Sequence, residues 1–572
     1  MHINSVLHHF TKTLTRISFI TLMGLLPTLV TIAFGASNTS GDLLKATTTV
    51  DVVIQFTTNP PSAAAIASVT KGGGTLKKQF KKITGMAVYT LPASVIPSLA
   101  TNTNVKYASL DRKLNGTLEF AEPTTNANTA LQYGYNGTAV NVAIIDSGIA
   151  ASADFSSRVV YSQSFVPGDT STNDAYGHGT HVAGIIGGNG SNSTTSGNSI
   201  YTFRGIAPNA KLINLRVLNA NGQGTDGAVI AAIDQAIALK TQLTNPINIQ
   251  VINLSLGRQV FESYTLDPLC QAVERAWSAG IVVVVAAGNN GRDNSQNTNG
   301  YATIASPGND PYVITVGAMK DVGTIFRGDD LMASYSSKGP TLYNHIVKPD
   351  LVAPGNNIIS ALAPNSSIIS KYPANVVPIS YYKSVSNTKD SSTYFKLSGT
   401  SMATPMVAGA AALLLQKDST LTPDTIKARL MKTATKTFPV SSIATDATTG
   451  MVYTTHYDLF TVGAGYLDVW AALNNSDVLT SGKSAMSPVA TYDALTRIVT
   501  IGGTNVVWGD NVVWGDNVVW GDNIILGNNV VWGDNVVWGD SLSTGFNVVW
   551  GDNVVWGDVS LFSEATSIKG EK

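Results

Sequence analysis

Three short runs carry side chains that could do chemistry. Ile144-Ile145-Asp146-Ser147-Gly148 puts a carboxylate at the end of an apolar, strand-like run, where it is either a reactive group or a turn aspartate closing the strand. Gly177-His178-Gly179-Thr180-His181-Val182-Ala183-Gly184 opens an apolar helical run with two imidazoles three residues apart. Zinc on such a pair needs a third ligand and usually a carboxylate base between the histidines; Gly179 and Thr180 stand there instead, which argues against metal. The third run, Leu397-Ser398-Gly399-Thr400-Ser401-Met402-Ala403-Thr404-Pro405-Met406-Val407-Ala408-Gly409, leads into the apolar stretch from Ala410 to Leu415, with Pro405 suited to a first turn. Ser401 therefore falls at the amino end of a helix buried on all sides, where unpaired N–H groups and the helix dipole favour negative charge. A plain serine N-cap would occupy the same place, but it does not explain Gly399, which allows another chain to approach closely.

The elements around these runs have to bring them together. From about residue 120 to 475, largely apolar runs (Val140 to Ile145, Leu212 to Leu218, Val251 to Leu256, Ile281 to Ala287, Val313 to Val316) alternate with helical patterns, as strands covered on both faces do. Val229, Ile230, Ile233 and Ile237 recur at helical spacing and predict a crossover helix packed on a sheet. This pattern predicts an α/β domain with a parallel sheet, which places its chemistry beyond the carboxyl ends of the strands.

Taken together and in the chain order Asp, His, Ser, the three motifs resemble those of the subtilisin-like serine proteases, the subtilase family, over about residues 120–475. The fold this implies is a subtilisin-like parallel sheet flanked by helices. The resemblance implies that Ser401 Oγ attacks a peptide carbonyl, that His178 takes and returns the proton, and that Asp146 orients His178 and stabilises the imidazolium. It gives His181 no catalytic role. Asn289, closing Val285-Ala286-Ala287-Gly288-Asn289, matches the oxyanion-hole asparagine, partnered by the Ser401 N–H. Ser255, Leu256 and Gly257 match the strand edge that pairs with the substrate backbone, and Ala286, Ala287 and Gly288 the opposite wall of the first specificity pocket. Small, uncharged walls imply a broad preference, apolar or aromatic at the residue before the cut.

Two departures stand out. Asp154 matches a position that ligates calcium in some relatives, but its loop is short and the partner loop is replaced by the Gly-, Ser- and Asn-rich stretch from Asn189 to Thr202. Calcium is thus the one cofactor the resemblance allows, and none is required for the chemistry. The stretch from Pro364 to Thr393 is longer than a minimal subtilase needs and must emerge near the nucleophile, either bordering the cleft or forming an inert surface loop.

Composition frames the remainder. The chain has 572 residues, of which 44% are hydrophobic and 13% charged, enough apolar material for large cores and far from the composition of a disordered chain. Cys270 is the only cysteine, so no intrachain disulfide forms. The net charge of -1 conceals a split. Lys12 and Arg16 in residues 1–36, with nine Lys or Arg against Asp42, Asp51 and Asp111 in residues 37–116, put +8 on the front and leave -9 for the rest. Such a body is no nucleic-acid binder.

Residues 1–36 read as a signal peptide, with an apolar stretch from Ile17 to Phe34 before small residues, so no membrane span is expected after cleavage. Residues 37–116 read as a small α+β unit with strands at Val50 to Phe56, Met86 to Leu91 and Val105 to Leu110. It resembles the family's propeptide, which chaperones folding and then acts as an intramolecular inhibitor. Removal between about Asn115 and Glu122 is expected to be autocatalytic. After a linker at 476–504, residues 505–558 form nine hexads, seven reading Asn-Val-Val-Trp-Gly-Asp, followed by a tail at 559–572. The hexads read as a β-rich repeat, either a β-helix or a flatter stack of Val-Val-Trp strands joined by turns, with cell-surface adhesion among the roles it could serve. The expected function is a secreted serine endopeptidase acting on polypeptides through an acyl-enzyme and made as an autoprocessed precursor. The alternative is a catalytically inactive surface or binding protein acting through the repeats.

Overall fold

The computed structural model describes residues 38–39 and 43–502, except 80–84, 111–115, 118–119, 195–198, 245–246, 296–297, 385–391, 447–448, 480–481 and 494–497. Beyond these it describes the strands Ile524–Ile525, Asn529–Trp532, Val536–Gly539 and Leu561–Ser563. The expected signal segment and most of the hexads lie outside the described residues. The chain divides into two compact units, Met1–Leu114 and Asn115–Lys572.

In the first unit the three strands expected from alternation form with the expected bounds, Val50–Phe56, Met86–Leu91 and Val105–Leu110. Thr75–Gln79 completes an antiparallel four-stranded sheet in the order Thr75–Gln79, Met86–Leu91, Val50–Phe56, Val105–Leu110. All five of its side chains are exposed, so it carries no apolar period to read; Lys77 and Lys78 suit an edge strand, where charge discourages further pairing. Val52, Ile54 and Phe56 pack with Val69, Leu99 and Val105 beneath the helices Ala63–Thr70 and Ile96–Leu99.

The second unit is built on an eight-stranded sheet. Its order is Leu331–Met332, Ile314–Lys320, Val282–Ala286, Ile249–Leu254, Asn141–Asp146, Lys211–Arg216, Val159–Ser164, with Leu351–Pro354 also pairing Ile314–Lys320. All pairs are parallel except that of Leu331–Met332. The strands that follow Asn141–Asp146 fill one side of it, at 159–164 and 211–216, before the chain moves to the other side at 249–254. Asp146 therefore ends a strand at the switch point, where a crevice opens beyond the strand ends. The helix Asp226–Thr241 crosses over as expected, capped by Thr225 accepting from Ala228 N. Its buried stripe is Ala228, Val229, Ala232, Ile233, Ala236 and Leu239, with Ile230 and Ile237 only half-buried, because small alanines let the helix lie close to the sheet.

The segment read as a linker is in part docked. Ser487 N donates to Pro311 O at 2.9 Å, Val347 N to Pro488 O at 2.8 Å and Ala490 N to His345 O at 2.8 Å, before the hairpin Val489–Asp493 with Ile498–Gly502. Among the described hexad residues, Asn529–Trp532 pairs antiparallel with Val536–Gly539.

One buried acid in this core makes stability depend on pH. Asp310, fully buried against the helix Pro268–Ser278, has its pKa pushed up to about 8, first by loss of solvent and then by the Glu274 carboxylate. The native state thus keeps a proton that the unfolded chain releases near pH 4, so this group's contribution to stability falls as pH rises from about 4 to about 8. Asp310→Asn keeps an oxygen for Tyr312 N and should flatten that fall, raising Tm above the parent's at pH 8 and not at pH 4. A series of thermal melts between pH 4 and pH 8 checks this.

Candidate active site

Asp146 leaves the end of its strand fully buried and accepts from Ser147 N at 2.7 Å. His178 Nδ1 lies 2.8 Å from Asp146 Oδ1 and 3.0 Å from Oδ2. The carboxylate fixes the proton on Nδ1, and Nε2 has no hydrogen-bond partner among the described residues. His178 opens the helix His178–Gly187, whose entry demands glycine on both sides. Gly177 has φ 108° and a Cβ there would come within 2.5 Å of Ile368; a Cβ on Gly179 would stand 2.3 Å from Gly148 O.

Sequence reasoning missed the residue that sets this helix start. Asp174, buried, accepts at Oδ1 from Ser147 Oγ (2.8 Å) and Gly177 N (2.7 Å), and at Oδ2 from Thr180 N (2.8 Å) and Thr180 Oγ1 (2.7 Å). Burial raises its pKa, and these donors oppose the rise. An acid four residues before the histidine at a helix start was the available signal. Asp174→Ala leaves buried donors without acceptors, at about 1–3 kcal/mol for each group left unsatisfied. The expected result, read by denaturant unfolding, is a loss of about 3 kcal/mol in unfolding free energy, part of which Asp174→Asn should recover.

His181 is a different kind of histidine. Its Nε2 donates to Ile358 O at 3.0 Å and Phe395 O at 3.1 Å, and burial, with His178 nearby, pushes its pKa down to about 3. It is a neutral tie between the helix and the strand pair Ile358–Ala361 and Tyr394–Leu397.

Ser401 sits in the first turn of the helix Thr400–Lys417, buried through Leu415 and packed against the His178 helix. Its hydroxyl donates to Ser255 O at 3.0 Å, and Ser255 Oγ donates to Ser401 O at 2.8 Å. The Ser401 hydroxyl is therefore turned to Ser255 rather than to His178. Thr400 N donates to Asn289 Oδ1 at 2.9 Å, and Gly288 N to Thr400 Oγ1 at 3.2 Å, so Thr400 joins the Asn289 turn to the Ser401 helix. Ala286, Ala287 and Gly288 are buried on the neighbouring strand end, with Ala287 N bonded to Val316 O at 3.0 Å. Leu256–Gly257 forms a short strand beside this wall.

The long stretch from 364 onward does reach the site. Ser367 N donates to Ala175 O at 2.9 Å and Ile368 N to Tyr176 O at 3.1 Å, directly before His178. Asp154 has partners other than those of Asp146, His178 and Ser401. Its Oδ1 accepts from Asn192 N at 2.7 Å and its Oδ2 from the Tyr394 hydroxyl at 2.7 Å, which also meets Ser193 Oγ. A cation needs oxygen acceptors around it, whereas both Asp154 oxygens here face donors, so these residues do not fit calcium at that carboxylate. Among the described residues, no group of three or more His, Cys, Asp or Glu could hold a metal ion, and no helix is long and apolar enough to cross a membrane.

Residues 137–465 match the family model described as the subtilase family. The chain is 40% identical to serine protease AprX of Bacillus subtilis (strain 168), over 63% of this chain and 76% of that protein. It is 38% identical to subtilisin DY of Bacillus licheniformis, over 56% of this chain and 92% of that protein. With subtilisin E of Bacillus subtilis (strain 168) the identity is 34%, over 64% and 80% respectively.

Proposed function

Because the chain belongs to the subtilase family and is a subtilisin-type serine endopeptidase, we propose that Asp146, His178 and Ser401 form its triad and that Asn289 supplies its oxyanion hole. What carries this reading is the buried contact of His178 Nδ1 with both Asp146 oxygens, which leaves Nε2 as the acceptor. In this mechanism the Ser401 hydroxyl leaves Ser255 O and donates to that nitrogen instead. The Oγ–C bond forms as Nε2 takes the proton; the imidazolium returns it to the amine as the C–N bond breaks, leaving an acyl-enzyme. Water then repeats the sequence and frees the acid. With its oxygen taken by Thr400, Asn289 acts on the oxyanion through its amide nitrogen, beside the first-turn N–H of Ser401.

Substrates are extended polypeptides whose main chain pairs with Ser255, Leu256 and Gly257, while Ala286, Ala287 and Gly288 wall a pocket of broad apolar or aromatic preference. No cofactor takes part, and the Asp154 network stands without calcium. Residues 1–36 direct secretion. Residues 37–116 chaperone folding, inhibit the enzyme through a salt-dependent association of a +6 module with an acidic chain, and are removed autocatalytically between about Asn115 and Glu122.

The test is hydrolysis of a denatured protein by the purified chain. Activity should vanish on treatment with a phosphonylating or sulfonylating serine reagent, which labels Ser401 by mass, and should persist with a calcium chelator. Ser401→Ala should remain an unlabelled full-length precursor. An inert, unlabelled wild-type chain would sink this assignment in favour of a surface protein acting through its repeats.

A further inference from the structure

The strand edge at Leu256–Gly257 is already paired. Leu561–Ser563 lies between it and Gln223–Gly224 as the middle strand of a three-stranded sheet, antiparallel to both neighbours. Phe562 stands opposite Gln223 on one side and Gly257 on the other; Leu561 faces Gly224 and Ser563 faces Leu256. Antiparallel register fixes the direction. As the chain advances from Leu561 to Ser563 it retraces Gly257 to Leu256, and the next residue of that edge is Ser255, whose carbonyl holds the Ser401 hydroxyl at 3.0 Å.

The strand therefore runs with its carboxyl-terminal end toward Ser401. A peptide must lie in this sense if the residues before its scissile bond are to pair with the edge while the carbonyl that follows reaches the nucleophile. Resting on the protease reading above, we propose that residues 561–563 are an intramolecular strand that occupies the substrate groove and competes with polypeptide substrates.

The sequence supports this. Val559-Ser560-Leu561-Phe562-Ser563-Glu564-Ala565 contains neither Gly nor Pro, unlike the hexads with their Gly every six residues, so it is free to take an extended, ladder-forming conformation. Residues 503–560, 58 in number, separate it from the docked hairpin. Because the strand belongs to the same chain as the groove, dilution does not weaken its pairing, and even three residues can compete with a substrate.

Phe562→Pro in the full chain removes the N–H of the central residue and its ability to join the ladder, without touching the triad. With a short chromogenic peptide, and on protein whose intact mass retains the tail, the variant should show an apparent KM about tenfold or more below wild type at equal kcat. A synthetic peptide spanning residues 558–566 should restore the higher KM competitively. Clipping of the wild-type tail beyond Ser563 with a parallel fall in KM would equally support the strand's placement. Equal KM in the two intact chains overturns the proposal, while hydrolysis and Ser401 labelling in both would show that the protease reading survives. Absence of hydrolysis and of label in both chains would instead sink that reading, and this proposal with it.

Discussion

Ser401→Ala is expected to lower turnover by about a millionfold, the scale known for the triad of subtilisin itself, and adding His178→Ala should cost almost nothing more. The two side chains act as one unit: a hydroxyl without its base is a poor nucleophile, and a base without its hydroxyl has nothing to activate. Asp146→Asn should cost about ten-thousandfold for a different reason. Ser147 N, 2.7 Å from Oδ1, would hold the asparagine oxygen in place and turn its NH2 to the Oδ2 position, 3.0 Å from His178 Nδ1. That NH2 disfavours a proton on Nδ1, although the oxygen 2.8 Å away still offers it an acceptor, and the neutral amide no longer offsets the imidazolium charge; both effects weaken His178 as the base for Ser401. Single-turnover kinetics on a chromogenic peptide, with unchanged thermal melting, separates this from damage to the fold. An Asp146→Asn enzyme within tenfold of wild type would remove Asp146 from the triad.

The proposed triad could be named from the sequence because each member sits inside a contiguous run whose neighbours serve the same purpose: a strand ending at Asp146, glycines flanking His178, a small-residue helix start at Ser401. Asp174 was legible only as an acid four residues before His178; its role is defined by four donors at residues 147, 177 and 180, which converge only in space. Buried strands announced themselves through apolar runs, whereas Thr75–Gln79 and Val159–Ser164 did not; the first is fully exposed and the second mostly half-exposed, so hydrophobicity had little to report. Residues 484–490 looked like a linker because Ser, Ala and Pro dominate them. They dock through main-chain bonds and through Ser487, which composition cannot display. Gln223–Gly224, the second edge of the groove, is two polar or small residues in a turn-like context and gave no sign of pairing.

Asp350→Ala is expected to destabilise the second unit by about 3–5 kcal/mol, because it strips the shared carboxylate from two buried ammonium groups. Lys348 Nζ lies 2.7 Å from Asp350 Oδ2 and Lys427 Nζ 3.2 Å from Oδ1, all three fully buried. Thr315 N and the Ser487 hydroxyl also donate to this carboxylate, so one side chain joins the sheet, the helix Pro423–Thr433 and the docked segment near 487. Burial alone would raise the Asp350 pKa, but the two lysines outweigh it and hold the group ionised. One carboxylate cannot neutralise both cations, and Lys427, desolvated and repelled by Lys348 while drawn by Asp350, has its pKa pushed down to about 7. The native state then releases a proton that the unfolded chain keeps until about pH 10.5, so this group's contribution to stability rises with pH between about 7 and 10. Lys427→Met removes the surplus cation and that rise together. It loses bonds to Pro311 O, Tyr312 O, Val313 O and Ser487 Oγ but leaves Lys348 and Asp350 paired, with no charge buried alone, so its cost should be smaller than that of Asp350→Ala. Denaturant unfolding in the Ser401→Ala background at pH 7 and pH 9.5 tests both. Equal costs for the two variants, or a rise with pH that survives Lys427→Met, would mean that packing rather than the shared carboxylate holds these elements together.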